Sequence, residues 1–182
     1  MKKSKNLLVF ILGALLFIIS INYDNIINSF FSESRTLFFD IIFSIITNFG
    51  ILLIVLFVIP ILINYKSDKK FVQWLSISLF ISFILALIIK IVISSARPVE
   101  IAYPVLKGLD YSFPSMHAMV AFSLLPVLLS KKLSLNNFFT IFAVLIVFSR
   151  IYLGYHYLSD VVFGAFAGYF IGDAITNIAA KK

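Results

Sequence analysis

The stretch FVQWLSISLFISFILALIIKIVIS, Phe71 to Ser94, contains one charged residue, Lys90, close to its C-terminal end. A helix that crosses a bilayer needs roughly 20 mostly apolar residues, and this run supplies them without a break. It reads as a membrane span whose last turns carry a lysine towards the water boundary. Working outward, similar runs recur at Leu7 to Tyr23, Ile41 to Leu62, His117 to Leu129, Phe138 to Ile151 and Leu158 to Ala179, with short polar segments between them. The expected fold is therefore all-α, a polytopic membrane bundle of six transmembrane helices. Several runs are short for a perpendicular crossing, and flanking Tyr, Asn and Lys residues complete them at the headgroup level.

Composition supports the bilayer as solvent. Hydrophobic residues make up 62% of the chain, charged residues 13%, and mean hydropathy is +1.08, which in water would leave large apolar patches exposed. The net charge of +7 is explained by topology. With six spans, Lys2, Lys3, Lys5, Lys66, Lys69, Lys70, Lys131, Lys132, Lys181 and Lys182 all fall on one side, which the positive-inside rule assigns to the cytoplasm together with both termini. These lysines are scattered over loops without interleaved aromatics, so nucleic acid is excluded as a partner. Cysteine is absent, which removes disulfides and thiolate chemistry. The first run lacks a small-x-small cleavage pattern and reads as an uncleaved helix. Residues 1–182 read as one membrane-embedded domain. Asp24 to Asp40 is expected to be an amphipathic outer connection lying at the interface. Ser95 to Pro114, with Tyr103-Pro104, Gly108 and Asp110 as turn-formers, is the longest polar connection on the same outer face.

Three polar clusters border that face: Lys90 with Arg97-Pro98, then Pro114-Ser115-Met116-His117, then Ser149-Arg150 with His156 and Asp160. Lys90 and Arg97 are seven residues apart, about two helical turns, and Pro98 turns the chain out of the helix near Arg97. Arg150 ends the fifth span. The fourth and sixth spans present their N-termini at the same face, and Ser115 is a natural N-cap that aims the amides of Met116 and His117 outward. Three cations and a helix N-terminus converging on one spot suit a tetrahedral, oxygen-rich anion such as phosphate. His156 and Asp160, four residues apart at the start of the sixth span, share a helix face. A carboxylate on one ring nitrogen leaves the other nitrogen's lone pair aimed at the site, which prepares a nucleophile. His117, with no carboxylate in its own motif, is the natural general acid and later base.

These clusters resemble the signature of the type 2 phosphatidic acid phosphatase family, Lys-x6-Arg-Pro, Pro-Ser-Gly-His and Ser-Arg-x5-His-x3-Asp. The first and third match in full, and the second departs once, with Met116 in place of Gly. The resemblance implies a metal-independent, cofactor-free membrane phosphatase. It implies that His156 forms a phosphohistidine, Asp160 orients it, and His117 protonates the leaving group. Lys90, Arg97, Ser115, Met116 and Arg150 would hold the phosphoryl oxygens. The expected substrate is a lipid phosphate or diphosphate at the outer leaflet, of the undecaprenyl diphosphate, phosphatidylglycerophosphate or phosphatidic acid type. Three alternatives fit less well. An intramembrane serine hydrolase built on Ser115 lacks the Gly-x-Ser-x-Gly elbow. A lipid-phosphate binder or transporter would show repeated halves and broken helices. A metal hydrolase needs more His, Asp or Glu ligands than this face offers. Asp173, inside the last span, is expected to be a polar contact between helices.

Overall fold

The computed structural model describes residues 2–64, 68–98, 111–131 and 133–181. Tyr103-Pro104, Gly108, Asp110, Lys66, Lys132 and Lys182 lie outside them. Helices follow one another as α1 (Lys2–Ser34), α2 (Leu37–Ile46), α3 (Phe49–Leu53), α4 (Ile59–Asn64), α5 (Lys69–Ile93), α6 (Met116–Ser130), α7 (Asn136–Tyr152) and α8 (Leu158–Ala179), with a π-helical stretch, Ile54–Val58, joining α3 to α4. The chain has an all-α membrane fold. Three helices, α1, α5 and α8, are long and apolar enough to cross a bilayer, and the bent pair of α2 with the Phe49–Asn64 helix makes a fourth. The apolar helices α6 and α7 have 15 and 17 residues, about 22 and 25 Å at 1.5 Å per residue, short of a hydrocarbon core of about 30 Å. The six expected spans thus correspond to three long helices, one broken pair and two short helices.

Two boundaries differ from the sequence-based expectation. α1 does not stop at Tyr23 but continues to Ser34, so Asp24 sits within the first helix and not in a separate connection after it. Its polarity has a specific use: the Asp24 carboxylate accepts from the Ser159 backbone N–H (2.8 Å) and from the Ser159 hydroxyl (2.5 Å). An acidic side chain on α1 thereby caps the N-terminus of α8, where its charge also complements the helix dipole. Asp24→Ala is expected to cost about 1–2 kcal/mol, measured as a lowered midpoint of thermal unfolding in detergent, with Asp24→Asn recovering part of the loss. After α1, Arg35 pairs with Asp40 at 3.0 Å and donates to the Leu153 carbonyl at 3.2 Å, which fastens this corner to the end of α7.

The second span is broken. Thr47 and Asn48 interrupt it with a bend of 48°, and the Asn48 side chain caps the new helix by accepting from Gly50 (2.9 Å) and Ile51 (3.3 Å). Farther along, Pro60 cannot donate to Leu56 and would clash with its carbonyl in a regular helix, and the π-helical stretch just before it widens the turn to accommodate the ring.

At the centre, α6 and α8 pack backbone to backbone along Gly164, Gly168 and Gly172. A Cβ at Gly164 would lie 2.7 Å from the Ser115 carbonyl oxygen, and Cβ atoms at Gly168 and Gly172 would overlap the carbonyl oxygens of Met119 and Ser123. Small residues are what permit such close approach where lipid, not water, surrounds the helices. Ser123 is buried against α5, donating to Ser82 Oγ (2.9 Å), while its carbonyl accepts from Ser78 (2.7 Å). Leu52, Leu56, Leu75, Leu124, Leu128, Phe139 and Ile146 fill the remaining core. Outside it, Phe10, Leu15, Ile19, Phe80, Ile84, Ile88 and Ile141 are exposed, the surface expected of a protein solvated by acyl chains. Asp173 accepts from Asn177 of its own helix at 2.8 Å.

Candidate active site

α5 and α7 deliver their C-terminal ends to one end of the bundle, and α6 and α8 deliver their N-termini to the same place, as the alternation of spans requires. The opposite end gathers Asp68, Lys70, Lys131 and Ala180 around a cavity of about 260 Å³, where Lys131 pairs with Asp68. All eight residues singled out in the sequence lie at the first end. Arg150, Arg97 and Lys90 are near enough to act electrostatically on both imidazoles, and His117 on His156.

α5 ends at Ile93, four residues before Arg97, and not at Arg97 itself. Ser94 adopts the left-handed conformation (φ 50°) and its N–H closes the helix on the Lys90 carbonyl. Arg97 consequently reaches the site from the non-helical chain after α5. Its Nη1 donates to the Tyr155 carbonyl (2.6 Å) and lies 3.2 Å from His156 Nε2. A guanidinium can only donate, so Nε2 presents its lone pair and the ring hydrogen resides on Nδ1. Lys90 is buried (5% exposed) and donates to the carbonyls of Tyr111 (2.5 Å) and Ser112 (3.0 Å). The two ends of the loop after α5 are tied together as well, Ser112 N–H to Ser95 O (2.8 Å) and Phe113 N–H to Ser95 Oγ (2.9 Å).

Ser115 caps α6 as expected, accepting weakly from Ala118 N–H (3.5 Å), while its own N–H donates to the Asp160 carbonyl (3.1 Å). Met116 occupies the first helical position and packs its side chain on the hydrophobic core. His117 meets the edge of the Phe49 ring at 5.0 Å, and its Nε2 is inaccessible and has no hydrogen-bond partner among the described residues. At the end of α7, Arg150 is buried (6% exposed), donates to Thr47 Oγ1 (3.0 Å) and stacks its guanidinium 4.6 Å from the centre of the Tyr155 ring.

His156 and Asp160 do come together, but not along a helix face. α8 begins only at Leu158, so His156 lies in the turn before it. Gly154, at φ 70°, reverses the chain there, and the His156 N–H bonds back to the Arg150 carbonyl (3.2 Å). Asp160 sits in the first turn of α8, where its Oδ2 accepts from the Tyr157 N–H (2.9 Å) and lies 3.4 Å from His156 Nδ1. Ser112 Oγ completes the group, bonded closely to Asp160 Oδ2 and 3.4 Å from the same Nδ1. Both His156 and Asp160 are buried, at 2% and 3% exposure.

Sequence reasoning missed Ser112, Thr47, Tyr155 and Phe49. Tyr155 stands inside the third motif, next to His156, and Ser112 stands two residues before Pro114, whereas Thr47 and Phe49 are far in sequence from every motif. Thr47 reaches Arg150 across 103 positions. Chemically, the arrangement offers an imidazole lone pair at His156 Nε2, a second imidazole, three cations and the open amides of α6, which together suit attack on an anionic, oxygen-rich centre.

A family model described as the PAP2 superfamily matches residues 71–182. The chain is 31% identical over 133 residues to undecaprenyl-diphosphatase of Sulfolobus acidocaldarius, an alignment covering 68% of this chain and 61% of the relative. It therefore spans about three fifths of that relative's length. In fold it is similar to a transmembrane PAP2 type phosphatidylglycerolphosphate phosphatase from Bacillus subtilis (TM-score 0.72, 20% identity, 96% of each chain). It is also similar to Aquifex aeolicus LpxE (TM-score 0.64, 23% identity, 87% of this chain and 95% of that one). At these identities the two structural likenesses speak for the fold alone.

Proposed function

The chain belongs to the PAP2 superfamily, and from that premise we propose that it is a membrane phosphatase that removes phosphate from a lipid phosphate or diphosphate at the extracytoplasmic leaflet without a metal. The observation that carries this is the lone pair of His156 Nε2, fixed by the Arg97 contact at 3.2 Å and set among three cations. Undecaprenyl diphosphate is the favoured substrate class, because the curated relative is named for it. Phosphatidylglycerophosphate and phosphatidic acid are the nearest competitors. The lysines gathered at the opposite end support a cytoplasmic placement of that end, with the site facing out.

The phosphoryl group enters between Arg97, Arg150, Lys90 and the amides of Met116 and His117, and Arg97 moves from the imidazole to a phosphoryl oxygen. His156 Nε2 attacks phosphorus in line; the P–N bond forms as the bond to the lipid or bridging oxygen breaks. His117 gives its proton to that departing oxygen, and the phosphate dianion balances the charge His117 carries before the transfer. Water then attacks the phosphohistidine, His117 takes its proton, and inorganic phosphate leaves with His156 restored. Stabilisation of the equatorial oxygens by the cations supplies much of the rate, as is general for phosphoryl transfer.

The serine hydrolase alternative is disfavoured by geometry. Ser115 Oγ faces the Ala118 N–H as the cap of α6 and is bonded to neither imidazole among the described residues, and Ser112 lies with Asp160 on the Nδ1 side of His156, opposite the nitrogen that would have to activate it. The deciding experiment is phosphate release by purified protein in micelles, over a panel of lipid monophosphates and diphosphates with excess chelator. Sustained release is expected. Release abolished by chelator and restored by a divalent cation would overturn the metal-free reaction, and tight binding without release would favour a carrier. His117→Ala is expected to slow turnover by about 10²–10⁴-fold, most with poor leaving groups. An unchanged rate with such groups assigns the proton to another residue.

A further inference from the structure

We propose that Ser112 is a positioning residue for His156, the hydroxyl through which Asp160 holds the imidazole; this rests on His156 being the nucleophile proposed above. Ser112 Oγ, Asp160 Oδ2 and His156 Nδ1 form a triangle whose short edge joins the serine to the carboxylate and whose other two edges are each 3.4 Å. A carboxylate only accepts, so the single hydroxyl proton of Ser112 lies on the short edge and a serine lone pair faces Nδ1. The Nδ1 hydrogen is then shared between two oxygens. At 3.4 Å both acceptors stand just beyond the usual N–H···O range of about 2.7–3.2 Å, so neither holds the ring alone, and Asp160 Oδ2 is also tethered to the start of α8 by the Tyr157 N–H at 2.9 Å. The carboxylate is kept at that distance, and the serine places a second acceptor beside it at the same Nδ1.

Ser112 is suited to this by its own confinement. It is fully buried, its N–H is held by Ser95 and its carbonyl by Lys90. The Lys90 hydrogen bond to Ser112 is made to its backbone carbonyl, so changing the side chain leaves that bond available. As the P–N bond forms, positive charge develops on the imidazole, and both acceptors at Nδ1 strengthen their hold where it helps the transition state. No proton leaves Nδ1 in this scheme. Ser112 touches neither phosphate nor leaving group; it acts through His156 and Asp160.

The test uses the full chain in detergent. Ser112→Ala is expected to lower kcat about tenfold with little change in KM, and Ser112→Thr, which keeps a hydroxyl, to recover most of it. In an Asp160→Ala background, Ser112→Ala should cost clearly less than in the native protein, because the two act as one unit. Equal losses in both backgrounds, or a native kcat in Ser112→Ala, would overturn the proposal. A second readout is independent of turnover. The chain has two histidines, so nitrogen-15 NMR of histidine-labelled His117→Gln protein reports His156 alone. The Nδ1 resonance is expected to be that of a protonated, hydrogen-bonded nitrogen and to shift in Ser112→Ala. An unmoved resonance removes the contact even if the protein proves active, and a moved one supports it even if no lipid substrate is turned over.

Discussion

His156→Ala should lose turnover on the order of 10⁴-fold or more, together with all covalent labelling of the protein by radioactive substrate phosphate. No other described group offers an unprotonated nitrogen at this position. Lys90 and Arg150 are buried and act as donors, to the Tyr111, Ser112 and Thr47 oxygens, and Arg97 likewise offers no lone pair. The rest of the site survives the substitution, so phosphate analogues should still bind. The measurement pairs acid-quenched labelling with an inhibitor titration. Label retained in His156→Ala would move the nucleophile elsewhere, and His117, the remaining imidazole, would be the residue to test next. Loss of analogue binding along with turnover would instead show that the substitution had collapsed the pocket.

The second large effect concerns stability. Gly168→Ala is expected to destabilise the protein by about 2–3 kcal/mol, because the added Cβ meets a backbone carbonyl oxygen, that of Met119, which can move only if α6 moves with it. Since α6 carries His117 and Ser115 at its start, and Ser115 is bonded to the Asp160 carbonyl, activity should fall along with the unfolding midpoint. Gly13→Ala makes the comparison: its Cβ would meet the ring of Phe166, a side chain that can rotate away. A Gly168→Ala protein that unfolds at the native temperature would mean that α6 and α8 slide apart without penalty.

How far the sequence could be read depended on how local each signal was. The ends of α5 and α8 are marked by long apolar runs with polar flanks, and the structure places them at Lys69–Ile93 and Leu158–Ala179. The end of α1 was not legible in this way. Asp24 and Asn25 look like the start of a loop, yet Asp24 stays helical because its partner, Ser159, lies 135 positions away. The break at Thr47 had a partial signal in Asn48 two residues before Gly50, the spacing of a helix cap, hidden inside a run that otherwise reads as one span. The Gly164, Gly168, Gly172 spacing is visible in the sequence and has a known meaning for helices in lipid, but nothing local to it says that the partner is α6. Among the site residues, those with a charge or an imidazole stood out in so apolar a chain. Ser112 and Thr47 did not, since a hydroxyl in a membrane protein most often bonds its own helix, as Ser20 and Ser44 do here. His156 and Asp160 lie 3.4 Å apart through a turn and a helix start, not through the shared helix face that their spacing suggests.

The bend at Thr47 has a practical corollary for anyone trimming this protein. Every signature residue lies between positions 90 and 160, and a fragment beginning at Phe71 would keep them all. It would nonetheless surrender the hydroxyl that steadies Arg150, the aromatic wall beside His117 and the carboxylate seated on Ser159, all furnished by the first 70 residues. Recognition by motif and competence to act thus have different minimum lengths here.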